Sequence, residues 1–376
     1  MIITKEQFLD NFNGDEINTF EDFIDTYTVR IHNNITPLKD YALRKNISKK
    51  ALETIYSHIV ERDKYLTRFY NTSLLVNKDL HIGGEPMKNE HMNNNKNVNY
   101  KNIIRNIHYK DILENTHSGI ENTPSFMTVL YDMYINRVID YKILTPSALH
   151  YIISGRIGSV YSSFYFRASI MNPYLVHSLN KSLLKGTKVF TPTLGWSSYA
   201  YGFMECDEII EYVGTDVIPD VCTKTRTFLK NNYENKIHKI FQSPSENLMK
   251  NKGFRTKYEG HFDLVFFSPP YFKMEMYPGD KQSTTNYNNY EQWLKKYWEK
   301  TIQLCLHVLE PGGKLCYILS GYGNKNHKNS YNLIDDMNTI TEKYFTLLRV
   351  LPLYNKNVHV TQHRETAEKI ITFCKM

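Results

Sequence analysis

Apolar positions along the chain follow two different rhythms. From Ser48 to Tyr70 apolar side chains recur at Leu52, Ile55, Tyr56, Ile59, Leu66 and Phe69, intervals that place them on one helical face with Ser48 as N-cap. The same period predicts helix over about Ser125 to Tyr141 and, once Pro146 has punctuated the chain, over about Ser147 to Ile153. A predominantly helical N-terminal domain, residues 1–160, is expected. Within it Gly83-Gly84-Glu85-Pro86 and the polar run His91 to Asn99 read as an exposed loop or poorly ordered segment, since neither glycine-proline punctuation nor an asparagine run supports a packed element.

From Lys188 onward short β-branched or aromatic runs alternate with longer helical patterns. Strands are predicted at Lys188 to Thr191, Ile210 to Thr215, Lys239 to Gln242, Asp263 to Ser268, Gly313 to Leu319, Phe345 to Leu351 and Ala367 to Cys374. A helix is predicted over Tyr290 to Leu309, stopped by Glu310-Pro311-Gly312-Gly313. This alternation predicts an α/β domain over residues 161–376, a mostly parallel sheet with helices on both faces. Ligands of such sheets bind at the carboxyl ends of the strands.

Composition narrows the picture further. With 376 residues, 41% of them hydrophobic and 23% charged, the chain has ordinary globular usage, which excludes wholesale disorder, collagen and coiled coil. It contains no run of eighteen apolar residues, and Met1-Ile2-Ile3-Thr4-Lys5 begins no basic and apolar leader, so a non-secreted protein without a membrane partner is expected. The five cysteines are odd in number and lack C-x-x-C spacing, which argues for reduced thiols in a cytosol or nucleus and against a disulfide framework or a metal site. The net charge of +7 is uneven: Met1 to Lys39 holds 3 Lys+Arg against 7 Asp+Glu, and Asp40 to Lys110 holds 13 against 7. The basic block suits a phosphate backbone, and equally a solvated surface.

The densest chemistry lies in Phe262-Asp263-Leu264-Val265-Phe266-Phe267-Ser268-Pro269-Pro270-Tyr271-Phe272. A buried strand delivers Ser268 to its tip, Pro269 and Pro270 stiffen the turn and remove two backbone donors, and the Tyr271 ring follows. One hydroxyl, exposed carbonyls and a flat apolar surface suit a planar heterocycle bearing an exocyclic amine. The amine protons would go to Ser268 and a proline carbonyl, with Tyr271 stacked on the ring.

Ser-Pro-Pro-Tyr resembles the signature of S-adenosylmethionine-dependent DNA amino-methyltransferases, which methylate adenine N6 or cytosine N4. That resemblance covers roughly Tyr165 to Met376 and implies a Rossmann-like class I methyltransferase sheet. It implies S-adenosyl-L-methionine as cofactor, double-stranded DNA as the leading partner with the target base flipped out, and no metal. Lys185 to Gly202 resembles the family's first strand and cofactor loop, which implies cofactor contacts from Thr191, Thr193, Gly195 and Trp196. Thr191 stands where the family has Asp, and Ser197 and Ser198 replace loop glycines. Asp216, with Val217 beside it, would accept the ribose hydroxyls at the second strand's end, an N-cap being the other reading of this Asp. Ser245 would lie beside the adenine, and Ser169 and Asn172 beside the methionine moiety, with helix capping again the alternative. Phe272, Glu275, Tyr277 and Gln282 would line the base pocket. Two other functions stay open: RNA amino-methylation, and a catalytically silent methyltransferase-like subunit that binds nucleic acid or acts as a scaffold.

Overall fold

The computed structural model describes residues 2–76, 79–119, 123–320, 331–354 and 368–376. By packing the chain forms two units. One comprises Met1–Val76, Arg105–Ser169 and Met274–Tyr277, the other Asn77–Ile104, Ile170–Lys273 and Pro278–Met376. The division thus falls elsewhere than at residue 160: residues 77–104 cluster with the sheet unit, and four residues after the Ser-Pro-Pro-Tyr turn cluster with the first.

The first unit is mainly helical around an aromatic core. Phe69 stacks on Phe126 at 5.1 Å between ring centroids, Phe126 lies 5.0 Å from Tyr161, and Phe8 meets Phe12 at 5.3 Å. Ser48 caps its helix as expected, accepting the Ala51 N–H at 3.2 Å. The stretch from Ser48 to Tyr70 is nevertheless two helices, Lys49–Val60 and Arg62–Ser73, separated at Glu61, whose φ and ψ of −89° and 29° leave the helical well. The helix begun by Ser125 ends at Tyr134. Arg137 then turns with φ 57°, and Val138–Asp140 joins a small sheet with Thr28–Ile31 and Asn34–Pro37 that periodicity alone did not suggest.

The second unit is the expected α/β domain. Its sheet has seven strands: β1 (Lys188–Thr191), β2 (Glu211–Asp216), β3 (Ile237–Gln242), β4 (Phe262–Phe267), β5 (Leu309–Ser320), β6 (Thr346–Pro352) and β7 (Glu368–Cys374). Each overlaps its predicted run, although Ala367 lies outside the described residues. The order across the sheet is 3-2-1-4-5-7-6. β7 runs antiparallel to both β5 and β6, and the other pairings are parallel. From β1 the chain steps outward to β2 and β3, then returns to β4 and steps the other way. Right-handed crossovers therefore put the two sets of helices on opposite faces. This is the Rossmann-like class I arrangement, with its switch point between β1 and β4.

β4 reads Phe-Asp-Leu-Val-Phe-Phe, apolar but for one residue, as a strand covered on both faces should be. The exception, Asp263, reaches across to β1. Its carboxylate accepts the Thr187 N–H at 3.0 and 2.9 Å, the Lys188 N–H at 3.1 Å and the Thr187 hydroxyl at 2.5 Å. The helical stretch between β4 and β5 is continuous from Tyr290 to Val308, with a π-helical turn at Leu294–Trp298.

The polar run after His91 is not a free loop. Met92 is fully buried, Asn93 bridges to Tyr354, and the Asn172 amide donates to the carbonyls of Asn94, Lys96 and Asn97 at 3.4, 2.6 and 3.4 Å. Lys96 to Asn99 are exposed, as expected of a loop, but the segment is tied down, because one buried amide satisfies backbone groups that water would otherwise claim.

Replacing Asp263 with Ala strands two amides and a hydroxyl at the central strand pair. The expected loss is about 2–3 kcal/mol of unfolding free energy, from the worth of charge-assisted hydrogen bonds, measured by urea denaturation. An unchanged midpoint would refute this role.

Candidate functional site

The tips of β1 and β4 lie side by side at the point where strand order reverses, where open α/β sheets receive ligands. β1 leads into Pro192–Ser197 and the helix α1 (Ser198–Met204). Gly195, Trp196 and Ser197 have φ of 51°, 58° and 68°, three consecutive left-handed residues of which two carry side chains. Such conformations cost roughly 1–2 kcal/mol each outside glycine, so the loop is held from several directions. Asp216 Oδ2 accepts the Leu194 N–H at 3.1 Å, the Ser197 and Thr225 hydroxyls bond at 2.7 Å, and Ser198 N–H donates to the Gly195 carbonyl at 3.0 Å. Thr193, half-buried, turns toward the β4 tip, its hydroxyl 3.5 Å from the Ser268 carbonyl.

At the β4 tip, Ser268 Oγ donates to the Ile318 carbonyl on β5 at 3.0 Å. With the hydroxyl proton committed there, the oxygen lone pairs are available to accept. Pro269 is buried and Pro270 half-buried. The Tyr271 phenol accepts the Ser320 N–H at 2.7 Å, which fixes one end of its ring at the tip of β5.

Asp216, at the end of β2, serves the backbone first. Oδ1 accepts Val217 N–H at 2.8 Å and Ile218 N–H at 3.1 Å, in addition to the Leu194 bond on Oδ2. The N-cap reading is not met either: the next helix, Pro219–Asn232, has Ile218 at its N-cap and no side-chain cap bond, so Asp216 holds the turn that precedes it. Of about four acceptor positions on a carboxylate, one remains for a ligand hydroxyl, not the two required to take both ribose hydroxyls. Burial lifts the carboxyl above its usual range, against the three amides that pull it down.

Several expected ligand residues face inward instead. The Thr191 hydroxyl is buried against the Tyr212 phenol at 2.7 Å. Ser245 bonds the Thr301 hydroxyl at 3.0 Å, and Trp196 is 7% exposed. Asn172 caps the helix Pro173–Leu179 through Tyr174 N–H at 3.1 Å and spends its amide on the 94–97 segment. Phe272 is buried among Tyr290, Trp293 and Tyr331. Gln282 is 5% exposed and donates to the Pro278 carbonyl at 2.8 Å. Each of these polar groups meets an internal need, because a buried donor or acceptor left unpaired costs more than a surface one.

Ser169, Glu275 and Tyr277 come together, but in the first unit. Glu275 Oε1 accepts the Ser169 N–H and hydroxyl at 3.1 and 2.7 Å, and Oε2 accepts the Tyr277 phenol at 2.7 Å. Burial raises the Glu275 carboxyl, with these bonds acting against the rise. The short strand Glu275–Met276 pairs antiparallel with His117–Ser118, so this trio anchors a strand pair.

Two residues near the tips escaped the sequence reading. Tyr199, four positions after Gly195, bonds Ser268 N–H at 3.1 Å. Tyr297 sits on the π-helical turn, 2% exposed with its phenol unpartnered. Nothing in Lys-Lys-Tyr-Trp signals that turn, whereas a tyrosine one turn beyond a tight glycine is a faint cue for ring-against-glycine packing.

No family model and no curated protein matches the chain in sequence. Among solved structures, the N-methyltransferase NodS from Bradyrhizobium japonicum WM9, in complex with S-adenosyl-L-homocysteine, is 12% identical. The match covers 54% of this chain and 83% of NodS with a TM-score of 0.35. TrmN from Thermus thermophilus is 13% identical over 55% of this chain and 49% of its own, TM-score 0.37. SMU.776, complexed with SAH, is 15% identical over 56% and 52%, TM-score 0.36. Likenesses this faint add nothing to what the strand order itself shows. No helix among the described residues is long and apolar enough to cross a membrane.

Because its folded pKa is raised, Asp216 holds its proton more tightly in the native state than in the unfolded chain. Stability linked to it is therefore present below the unfolded value and falls as pH rises through the window above 3.8. Asp216→Asn removes this titration. The unfolding free energy of the variant relative to wild type should rise across that window, followed by urea denaturation at successive pH values; a pH-independent difference would show that the carboxyl is not raised.

Proposed function

We propose that the chain is an S-adenosylmethionine-dependent methyltransferase acting on the exocyclic amine of adenine or cytosine, with double-stranded DNA as the substrate polymer. The observation carrying this reading is the Ser268 hydroxyl at the switch point: its proton is given to Ile318, so it presents an acceptor to an incoming N–H. Thr193, the Gly195 backbone and the remaining acceptor position of Asp216 would hold the cofactor, with Val217 beside the ribose. S-adenosylmethionine supplies a methyl group on a sulfonium centre that an amine can displace.

An exocyclic amine is a poor nucleophile, since its lone pair is delocalised into the ring. Ser268 and the Pro269 carbonyl would accept hydrogen bonds from its two N–H groups and favour a pyramidal nitrogen whose lone pair can take the methyl group, one N–H proton then passing to solvent as the sulfur leaves as a thioether. Tyr271 offers its face to the base, a stack worth roughly 1–3 kcal/mol, which offsets part of the few kcal/mol spent in unstacking a base from a duplex. The remaining acceleration is alignment by preorganised groups. The basic block of residues 40–110 divides between the two units, and backbone binding through it makes affinity fall with salt.

Two other readings keep specific support. The Ser268 tip recognises an amine and is indifferent to a 2′-hydroxyl, which leaves RNA as substrate. A silent nucleic-acid-binding or scaffold subunit is favoured by the inward-facing Thr191, Ser245 and Asn172 and by an Asp216 already bonded to three amides.

Incubation with methyl-labelled cofactor and separate DNA and RNA pools, followed by nucleoside mass spectrometry, should give N6-methyladenine or N4-methylcytosine from DNA. Label in RNA alone would reassign the polymer, and no product would favour the silent subunit. Ser268→Ala and Tyr271→Ala should each lower the rate at least tenfold in folded protein; full activity in both would overturn the site.

A further inference from the structure

Tyr199 joins the two loops of the site. Its phenol accepts the Ser268 N–H at 3.1 Å and lies 3.5 Å from the Ser268 carbonyl, within reach to donate. That N–H is the last backbone donor before Pro269 and Pro270, neither of which has one. Beyond it the β4 tip has no amide to anchor it until Tyr271. On its other side the Tyr199 ring fills the space over Gly195: a Cβ built there would come within 2.3, 2.5 and 2.7 Å of three ring carbons. The ring also stands edge-on to Phe266 at 5.3 Å and 88°, and Tyr199 is 3% exposed. It therefore has no room to move independently of the Gly195 turn or the Ser268 backbone.

We propose that Tyr199 is a positioning residue that couples the cofactor loop to the methyl-acceptor tip, its ring following the Gly195 turn and its hydroxyl carrying that position to the Ser268 backbone. The inference rests on the reading of this site as a methyltransferase centre. Seating of a cofactor on residues 193–197 then sets the Ser268 acceptor, and the amine is recognised best when the methyl donor is already bound. Burial pushes the phenol up to about 12, so it keeps its proton and can both accept from Ser268 N–H and donate to Ser268 C=O throughout the neutral range.

The test uses the full chain with amide-15N serine, the Ser268 resonance assigned by its loss in Ser268→Ala, and S-adenosylhomocysteine as probe. In wild type the Ser268 resonance should shift on saturation with the probe. Tyr199→Phe keeps the ring against Gly195. It should bind the probe within about threefold of wild type by calorimetry, while its Ser268 resonance is displaced at the outset and no longer responds. Steady-state assays should then show kcat lowered at least tenfold with KM for S-adenosylmethionine little changed. Gly195→Ala, which pushes on the ring without touching Ser268, should displace the same resonance in folded protein. Identical Ser268 positions and responses in wild type and Tyr199→Phe would overturn the coupling with the cofactor reading intact. Failure of wild type to bind the probe would overturn the cofactor reading itself and the coupling that rests on it.

Discussion

β1 and β4 pair through only two residue positions, Val189 with Leu264 and Phe190 with Val265, and the Asp263 carboxylate extends that pairing by taking the Thr187 and Lys188 amides. The site depends on this junction, because it sets two parallel strand tips side by side where the strand order reverses and the connections that follow run to opposite sides. A carboxylate is well suited to such a junction, since it accepts several bonds at once and crosses from one strand to the next without needing a ladder position of its own. Slippage here would separate the Ser268 tip from the loop at residues 192–197, whatever the state of either loop.

Above that junction the tips are bound by groups with two obligations each. Asp216 holds the turn at Val217 and Ile218 and also Leu194. Tyr199 packs against Gly195 and holds Ser268. Tyr271 presents a ring and receives Ser320. Such double duty explains how a loop with three left-handed residues stays in place, since strain is sustained only where the surroundings over-determine the backbone. It also limits what is left over for a ligand. Among the described residues, the Ser268 hydroxyl oxygen and one position on Asp216 are the clearest acceptors left.

The sheet was legible because each strand is a short apolar run closed by a turn signal, and because alternation with helices leaves few alternatives to a parallel sheet. The turn at Ser268 was legible for a similar reason, since two prolines directly after a buried strand must end it. Thr191, Ser245, Asn172 and Gln282 were not, although Thr191 ends a strand, Ser245 closely follows one, and Asn172 and Gln282 stand at the starts of helices. A polar residue there can face a ligand or a neighbouring strand or helix, and which of these depends on partners distant in sequence, such as Tyr212 for Thr191 and Thr301 for Ser245. Glu275 and Tyr277 follow the signature closely in sequence yet fold with Ser169, 106 residues before Glu275. The small sheet of the first unit was hidden by its strands of three and four residues, too short for a period of two to register.

The clamp between Asn172 and the segment 94–97 also governs proteolysis. Asparagine-rich surface stretches are ordinarily where proteases cut first, because their backbone extends into an active site at little cost. Here the carbonyls of Asn94, Lys96 and Asn97 all accept from one buried amide at the start of a core helix, so a protease must release that amide before it can draw the segment out. Cleavage after Lys96 consequently reports the release of the Asn172 clamp.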